Sequence, residues 1–263
     1  MKARCGKKRI TLELGGNAAV IVADVSDDEW DYVLSRILIG GYNFAGQSCI
    51  STQRLYVHDS IYDKFVGDLT ERVKKLKHGN PLHPDTQVGP MIDEKFTIKA
   101  HENIHSAVAA GGTLLAGGNK EGSVLEATLL ENVPDTHEIW NQEAFAPIVI
   151  ARRYTDFKDV VADVNKSDYG LQIGVFTRDL RKAFYAYENI EASDHFKVVR
   201  MKNKIGKCQG PFNLHVNVLF SPQECEDPIL CEIQFYPKDV YQLQHRQHLA
   251  YELRRASSVR DLI

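Results

Sequence analysis

The run Ala18-Ala19-Val20-Ile21-Val22-Ala23 is apolar without alternation, the pattern of a strand buried on both faces. Such a strand needs a covering layer on each side, so it commits the chain to a sheet flanked by helices. The next segment supplies a helix. Ser26-Asp27-Asp28-Glu29 has the order of a capping box, and Trp30, Val33, Leu34, Ile37 and Leu38 follow at the spacing of one buried helix face. That helix runs toward Gly46, with Cys49 just beyond. Residues 9–23 read as two short strands around the Gly15-Gly16 turn. Thr52 to His58 reads as a strand. Ser60 to His78 reads as an amphipathic helix with Gly79 as its C-cap. A helix from Asp93 to Gly111-Gly112, a strand at Thr113-Leu114-Leu115 and a strand through Ile148-Val149-Ile150 continue the series. A helix over Asp156–Asn165, a strand over Leu171–Phe176 and a helix over Asp179–Ile190 complete it. Strands alternating with helices predict an α/β fold with a largely parallel sheet.

Near residue 193 the pattern changes. Phe212, Leu214, Val216, Val218 and Phe220 alternate with period two, and Ile229–Tyr236 reads as a further strand. Pro237 suits the first turn of a helix reaching about Ser257. The expected organisation is therefore an α/β part over 1–192 and a small α+β segment, hairpin plus helix, over 193–263.

A chain of 263 residues that is 43% hydrophobic and 25% charged can bury a substantial core. Its net charge of -3 points to neither nucleic acid nor an anionic membrane as partner. No apolar stretch reaches the roughly 18 residues of a spanning helix. The basic start Met1-Lys2-Ala3-Arg4 has no apolar region behind it, unlike a secretory signal. Cys5, Cys49, Cys208, Cys225 and Cys231 make an odd number of cysteines, which fits a reducing, cytoplasmic setting better than a disulfide framework.

Cys49 follows Gly46-Gln47-Ser48, small and polar residues that let a backbone approach a ligand closely. As a thiolate it would be a nucleophile, and its own backbone N–H would be a donor to an oxyanion. Glu13, beside Gly15-Gly16, is a carboxylate that a partly apolar site would tune toward a general base. Taken singly, Cys49 reads first as a small buried hydrophobe and Glu13 as a surface carboxylate at a strand end.

Together, Leu12-Glu13-Leu14-Gly15-Gly16 and Gly46-Gln47-Ser48-Cys49 resemble the active-site half of the aldehyde dehydrogenase superfamily. The resemblance extends over residues 9–191. It includes Gln53-Arg54-Leu55-Tyr56-Val57-His58, Val88-Gly89-Pro90-Met91-Ile92, Gly117-Gly118, Glu143-Ala144-Phe145-Ala146-Pro147 and Tyr169-Gly170-Leu171-Gln172. It implies the three-layer catalytic-domain fold of that family and NAD or NADP as cofactor. Cys49 would attack a small aldehyde and Glu13 would activate the water that hydrolyses the thioester. Glu143 would accept hydrogen bonds from the nicotinamide ribose, with Phe145 and Gly15 beside it. The Ala146-Pro147 variant and the string Gly170 to Thr177 resemble semialdehyde and lactaldehyde types.

The family's dinucleotide half precedes its equivalent of Glu13, where this chain has twelve residues. Gly40-Gly41 and Gly111-Gly112 do not have the spacing of a dinucleotide-binding turn. Beyond Ser193-Asp194-His195 the family pattern stops. Two expectations follow: a dehydrogenase that homo-oligomerises or associates with a chain supplying the cofactor domain, or a truncated or fused inactive scaffold. The segment 196–255, with Arg200, Lys202 and Lys204, then Cys231-Glu232-Ile233-Gln234, then His245, His248, Tyr251 and Glu252, resembles the latter half of alarmone (guanosine polyphosphate) synthetases. That resemblance implies a guanine-nucleotide module, against the simpler reading of a solvated basic strand. His245 and His248 with Cys208, Cys225 and Cys231 match no zinc finger or ribbon spacing, so no metal is expected.

Overall fold

The computed structural model describes residues 4–10 and 13–190, and the backbone of three further strands at 196–203, 214–220 and 229–236. Strand β1 (Ala18–Val22) is buried along its whole length. Helix α1 (Asp27–Tyr42) follows, with the Ser26 N–H and Oγ both donating to the Glu29 carboxylate, at 3.4 and 2.6 Å. Trp30, Val33, Leu34 and Ile37 form its buried face, as their spacing predicts. After β2 (Thr52–His58) come α2 (Asp59–Lys74), α3 (Glu94–Ala109) and β3 (Thr113–Ala116). A small hairpin, β4 (Lys120–Glu121) and β5 (Val124–Leu125), precedes β6 (Thr128–Glu131), α4 (Glu138–Asn141) and β7 (Ile148–Tyr154). Then come α5 (Phe157–Val164), β8 (Ile173–Phe176) and α6 (Leu180–Asn189), and last β9 (Phe196–Asn203), β10 (Leu214–Phe220) and β11 (Ile229–Tyr236).

The main sheet has the order β3-β6-β7-β2-β1-β8-β11-β10-β9. From β6 to β8 all neighbours are parallel. The edge strand β3 runs antiparallel to β6. The connection from β1 to β2 crosses the sheet in one direction and that from β7 to β8 in the other. Right-handed crossovers therefore place α1 and α5 on opposite faces. Consistently, α1 packs against α2, and α5 against α6. The result is three layers, as the alternation of elements predicts. The expected hairpin is present as the antiparallel pair β10–β11, and β11 adds to the main sheet in parallel beside β8, Gln234 opposite Gly174. The helix expected over 237–257, with His245, His248, Tyr251 and Glu252, lies outside the described residues. So do Cys208 and Cys225. No helix among the described residues is long and apolar enough to cross a membrane.

Three local expectations are corrected. Residues 13–17 are irregular, so 9–23 does not hold two strands among its described residues. Leu14 is 68% exposed, so among the described residues no layer covers it as a buried strand would need. Helix α2 stops at Lys74, four residues early, because the Lys75 N–H bonds tightly back to the Arg72 carbonyl at 3.2 Å. His78 is thereby released to bridge Val88, and Gly79 serves that loop, not a helix cap, with its N–H on the Val88 carbonyl at 3.1 Å. The third correction is β6, a strand the sequence reading does not contain. Its apolar core is too short for periodicity to register.

The half-buried His78 ring accepts the Ala127 N–H at Nε2 (2.8 Å), which requires the neutral imidazole. Burial holds its pKa below the usual 6.5, against an opposing pull from Glu126. Below pH 6.5 the unfolded chain takes up a proton that the folded chain resists, so folding stability falls as pH drops through this range. Replacing His78 with Gln, which keeps an acceptor but does not titrate, is expected to flatten this limb of the stability curve. Urea unfolding of both proteins between pH 7 and 5 measures it.

Candidate active site

Four adjacent parallel strands, β7-β2-β1-β8, start along one edge of the sheet. The motifs read from the sequence lie just ahead of them. Gly15-Gly16 enters β1, Cys49 enters β2, Glu143 to Pro147 enter β7 and Tyr169 enters β8.

The Cys49 loop begins where α1 ends. Phe44, Ala45 and Gly46 all have positive φ (55°, 55° and 65°), reversing the chain in a left-handed turn. For Phe44 and Ala45 this conformation costs on the order of 1 kcal/mol each or more. The surroundings enforce it. A Cβ on Gly46 would stand 2.0 Å from the Ala146 carbonyl oxygen, so the loop lies directly on the backbone entering β7. Gln47 Oε1 accepts the Ile92 N–H at 2.9 Å, and Ser51 Oγ reaches the Gly40 and Gly41 carbonyls at the end of α1, at 3.2 and 3.3 Å. Cys49 itself is half-buried with a free thiol. Its carbonyl lies against Gly16, where a Cβ would come within 1.9 Å of it. Among the described residues its N–H has no hydrogen-bond partner, so a donor next to the thiol is available.

Glu143 sits over the same glycines. Its Oε1 accepts the Gly16 N–H at 2.8 Å, and its Oε2 fills the space a Gly15 side chain would need, 2.6 Å from an added Cβ. The Tyr169 ring borders Gly15, and its hydroxyl donates to Gln142 Oε1 at 3.1 Å. The segment carrying Glu143 is gripped from below by Gln53 of β2. Gln53 Nε2 donates to the Ile139 and Gln142 carbonyls (2.6 and 2.7 Å), and Oε1 accepts the Ala144 N–H (2.8 Å). Its neighbour Arg54, also buried, donates to the Asn17 carbonyl and side-chain oxygen and to Tyr56 Oη. Tyr56 in turn donates to Asp163. Burial pushes the Asp163 carboxyl up, but hydrogen bonds from Lys166 and Tyr56 and the charge of Arg152 outweigh it and hold it below the usual carboxylate range. Asn17 completes the link by donating to the Trp140 carbonyl at 2.8 Å.

The structure thus joins Cys49, Gly15 and Glu143 and adds Gly16 and Tyr169. Phe145 flanks them in a left-handed conformation (φ 45°), 43% exposed. Glu13 is exposed, one residue from the glycines, and makes no hydrogen bond or ion pair among the described residues. The sequence reading does not find the Gln53–Arg54–Asn17 network. Its signal was present: two large polar residues open a strand that is otherwise apolar, and at a buried position each needs partners. Of the segment compared with alarmone synthetases, the described part is strand backbone, in which Arg200 pairs with Asn217 and Lys202 with His215.

Residues 1–203 match the aldehyde dehydrogenase family model. The chain belongs to the aldehyde dehydrogenase family. It is 40% identical over 191 residues to a 3-sulfolactaldehyde dehydrogenase of Priestia aryabhattai, a match that covers 73% of this chain and 40% of that one. Among solved structures it resembles aldehyde dehydrogenase 21 of Physcomitrella patens in complex with its reaction product succinate. There the identity is 47% and the TM-score 0.68, covering 72% of this chain and 39% of that one. It also resembles the glyceraldehyde-3-phosphate dehydrogenase GapN of Methanocaldococcus jannaschii complexed with NADP, at 33% identity and a TM-score of 0.67, with coverages of 72% and 41%. The chain spans about two fifths of the length of the relatives it matches, 40% for the Priestia enzyme.

Against this family background the residues present fit one end of a dinucleotide. Glu143 is a half-buried, acceptor-only carboxylate, of the chemistry that sugar hydroxyls would pair with, and Phe145 beside it is exposed. Gly40-Gly41 lies inside α1 and Gly111-Gly112 in the turn before β3, so neither enters a helix from a strand as a phosphate-binding turn does. Among the described residues no three or more His, Cys, Asp or Glu side chains gather where they could hold a metal.

Gln53→Ala would leave the Ile139 and Gln142 carbonyls and the Ala144 N–H unpaired. It is expected to cost about 2–4 kcal/mol of unfolding free energy, whereas Gln142→Ala, which removes the exposed bond to Tyr169, should cost under about 0.5 kcal/mol. Urea denaturation of the two variants separates these outcomes.

Proposed function

We propose that this chain is the catalytic half of an NAD(P)-dependent aldehyde dehydrogenase. The observation that carries the reading is the convergence of Cys49, Gly16 and Glu143, with Gly16 touching both the Cys49 carbonyl and the Glu143 carboxylate. The Cys49 thiolate adds to the aldehyde carbon, and the carbonyl oxygen gains the negative charge. The Cys49 N–H, unpaired among the described residues, is one donor to that charge. Glu143, Phe145 and Gly15 hold the nicotinamide end, and the nicotinamide when bound supplies the hydride acceptor. Glu13, without a hydrogen-bond or ion-pair partner among the described residues, takes a proton from water. The hydroxide attacks the thioester, and the C–S bond breaks to release a carboxylic acid and the thiolate.

Similarity to a 3-sulfolactaldehyde dehydrogenase and to an enzyme whose structure holds succinate supports a small aldehyde of the semialdehyde or lactaldehyde type. Apolar side chains rim the site: Leu14 is 68%, Phe44 83% and Ile50 46% exposed. They suit contact with a dinucleotide-binding part carried by further protein, and we place the assembled enzyme in the cytoplasm. The same rim is what a non-catalytic scaffold would present, so the two readings need a chemical test.

Hydrolysis of p-nitrophenyl acetate uses the thiol and the base without hydride transfer. The chain is expected to turn over the ester. Cys49→Ala should fall to background, and Glu13→Gln should keep an acylation burst while slowing turnover by about a hundredfold. Equal rates from folded wild type and Cys49→Ala would sink the catalytic reading and leave the scaffold.

A further inference from the structure

The helix α3 carries His101-Glu102-Asn103-Ile104-His105. Histidines four apart stand one above the other on a helix. Here Ala100 and Ile104 face the core, so His101 and His105 lie together along the flank of the buried stripe. His101 is half-exposed and His105 exposed. Their Nε2 atoms are 3.0 Å apart, with ring centroids separated by 4.3 Å and planes 70° from parallel. Neither ring has a role in the dehydrogenase site.

We propose that His101 and His105 form a two-histidine chelate for a late first-row divalent cation, Ni2+ or Cu2+ before Zn2+. The distance carries the argument. Nitrogen ligands about 2.0–2.1 Å from a metal are about 2.9 Å apart at a right angle and about 3.3 Å apart in a tetrahedron. The observed 3.0 Å, spanned without metal by a side-chain hydrogen bond, matches adjacent positions of a tetragonal ion, and the one-turn spacing on α3 keeps the two rings neighbours. Without metal, one Nε2–H donates to the other Nε2. On binding, that proton moves to Nδ1 of its own ring and the rings turn to aim both Nε2 lone pairs at the cation, with no net proton lost. The charges acting on His101 are mixed: Glu102 favours a cation and Lys120 opposes it.

The H-E-x-x-H order is also that of helix-borne hydrolytic zinc pairs. Those sites need a third protein ligand, and among the described residues no third His, Cys, Asp or Glu joins this pair. Water fills the remaining positions, and no hydrolysis is assigned.

The test is calorimetric titration of NiCl2 into the full chain at pH 7.5, with thermal unfolding in parallel. A chelate predicts one site whose affinity falls about a hundredfold in His101→Ala and equally in His105→Ala. It also predicts a metal-induced rise in the unfolding midpoint of roughly 2–8 °C that both variants lose. Both variants should melt like the wild type without metal, which separates ligand loss from misfolding. Binding that persists in either variant, or that falls only about twofold in each as for two independent imidazoles, overturns the proposal. Neither outcome depends on whether Cys49 is catalytic.

Discussion

The parallel register of β7, β2, β1 and β8 is the constraint on which the site depends. Because these neighbours run the same way, their first residues fall along one sheet edge: Ala18 stands opposite Thr52, and Ala19 opposite Ile173. Each functional segment is anchored on its downstream side by ladder hydrogen bonds within a few residues. Open α/β sheets usually bind ligands beyond the carboxyl ends of their strands. Here the chemistry-bearing residues gather at the amino ends. The groups gathered there are a thiol, a carboxylate and backbone N–H groups set by turns.

Close backbone contact does the fine positioning. Gly16 is pressed against the Cys49 carbonyl, and Gly46 against Ala146. These two glycines let three entering loops stack with no side chains between them. Left-handed Phe44 and Ala45 are the local cost of aiming Cys49 back toward β1. Beneath the stack, Gln53 and Arg54 occupy positions where a doubly covered strand would ordinarily be apolar. Buried polar groups tolerate few arrangements, because each unpaired one costs about 1–3 kcal/mol. The Gln53 clamp thus selects the loop conformation that holds Glu143 over Gly15, and the Arg54–Tyr56–Asp163 chain ties β2 to α5.

The resulting surface is chemically equipped and apolar at its margin. The chain belongs to the aldehyde dehydrogenase family and spans about 40% of its relatives' length, and Cys49, Glu13 and Glu143 are the groups we propose as nucleophile, base and ribose acceptor. Large exposed apolar groups around a polar centre mark a face built for contact.

Much of this was legible in the residues themselves. The apolar run Ala18–Ala23, the Ser26–Glu29 cap and the helical spacing after it specify β1 and α1, because they are local statements about burial and hydrogen bonding. The Gly-Gln-Ser-Cys and Glu-x-Phe-Ala-Pro motifs named Cys49, Glu143 and Phe145, because short motifs carry side-chain chemistry. What local pattern could not provide was distance. The strand β6 and the reach of β11 onto β8 depend on partners further along the chain. Gln53 and Arg54 looked like ordinary strand residues until their partners at Ile139, Gln142, Ala144 and Asn17 were in place. Sequence determined which groups this protein possesses and which elements carry them. Only the tertiary structure decided that Gly16 would touch Cys49 and Glu143 at once, since strand register and close packing bring to it one segment 33 residues and another 127 residues further along the chain.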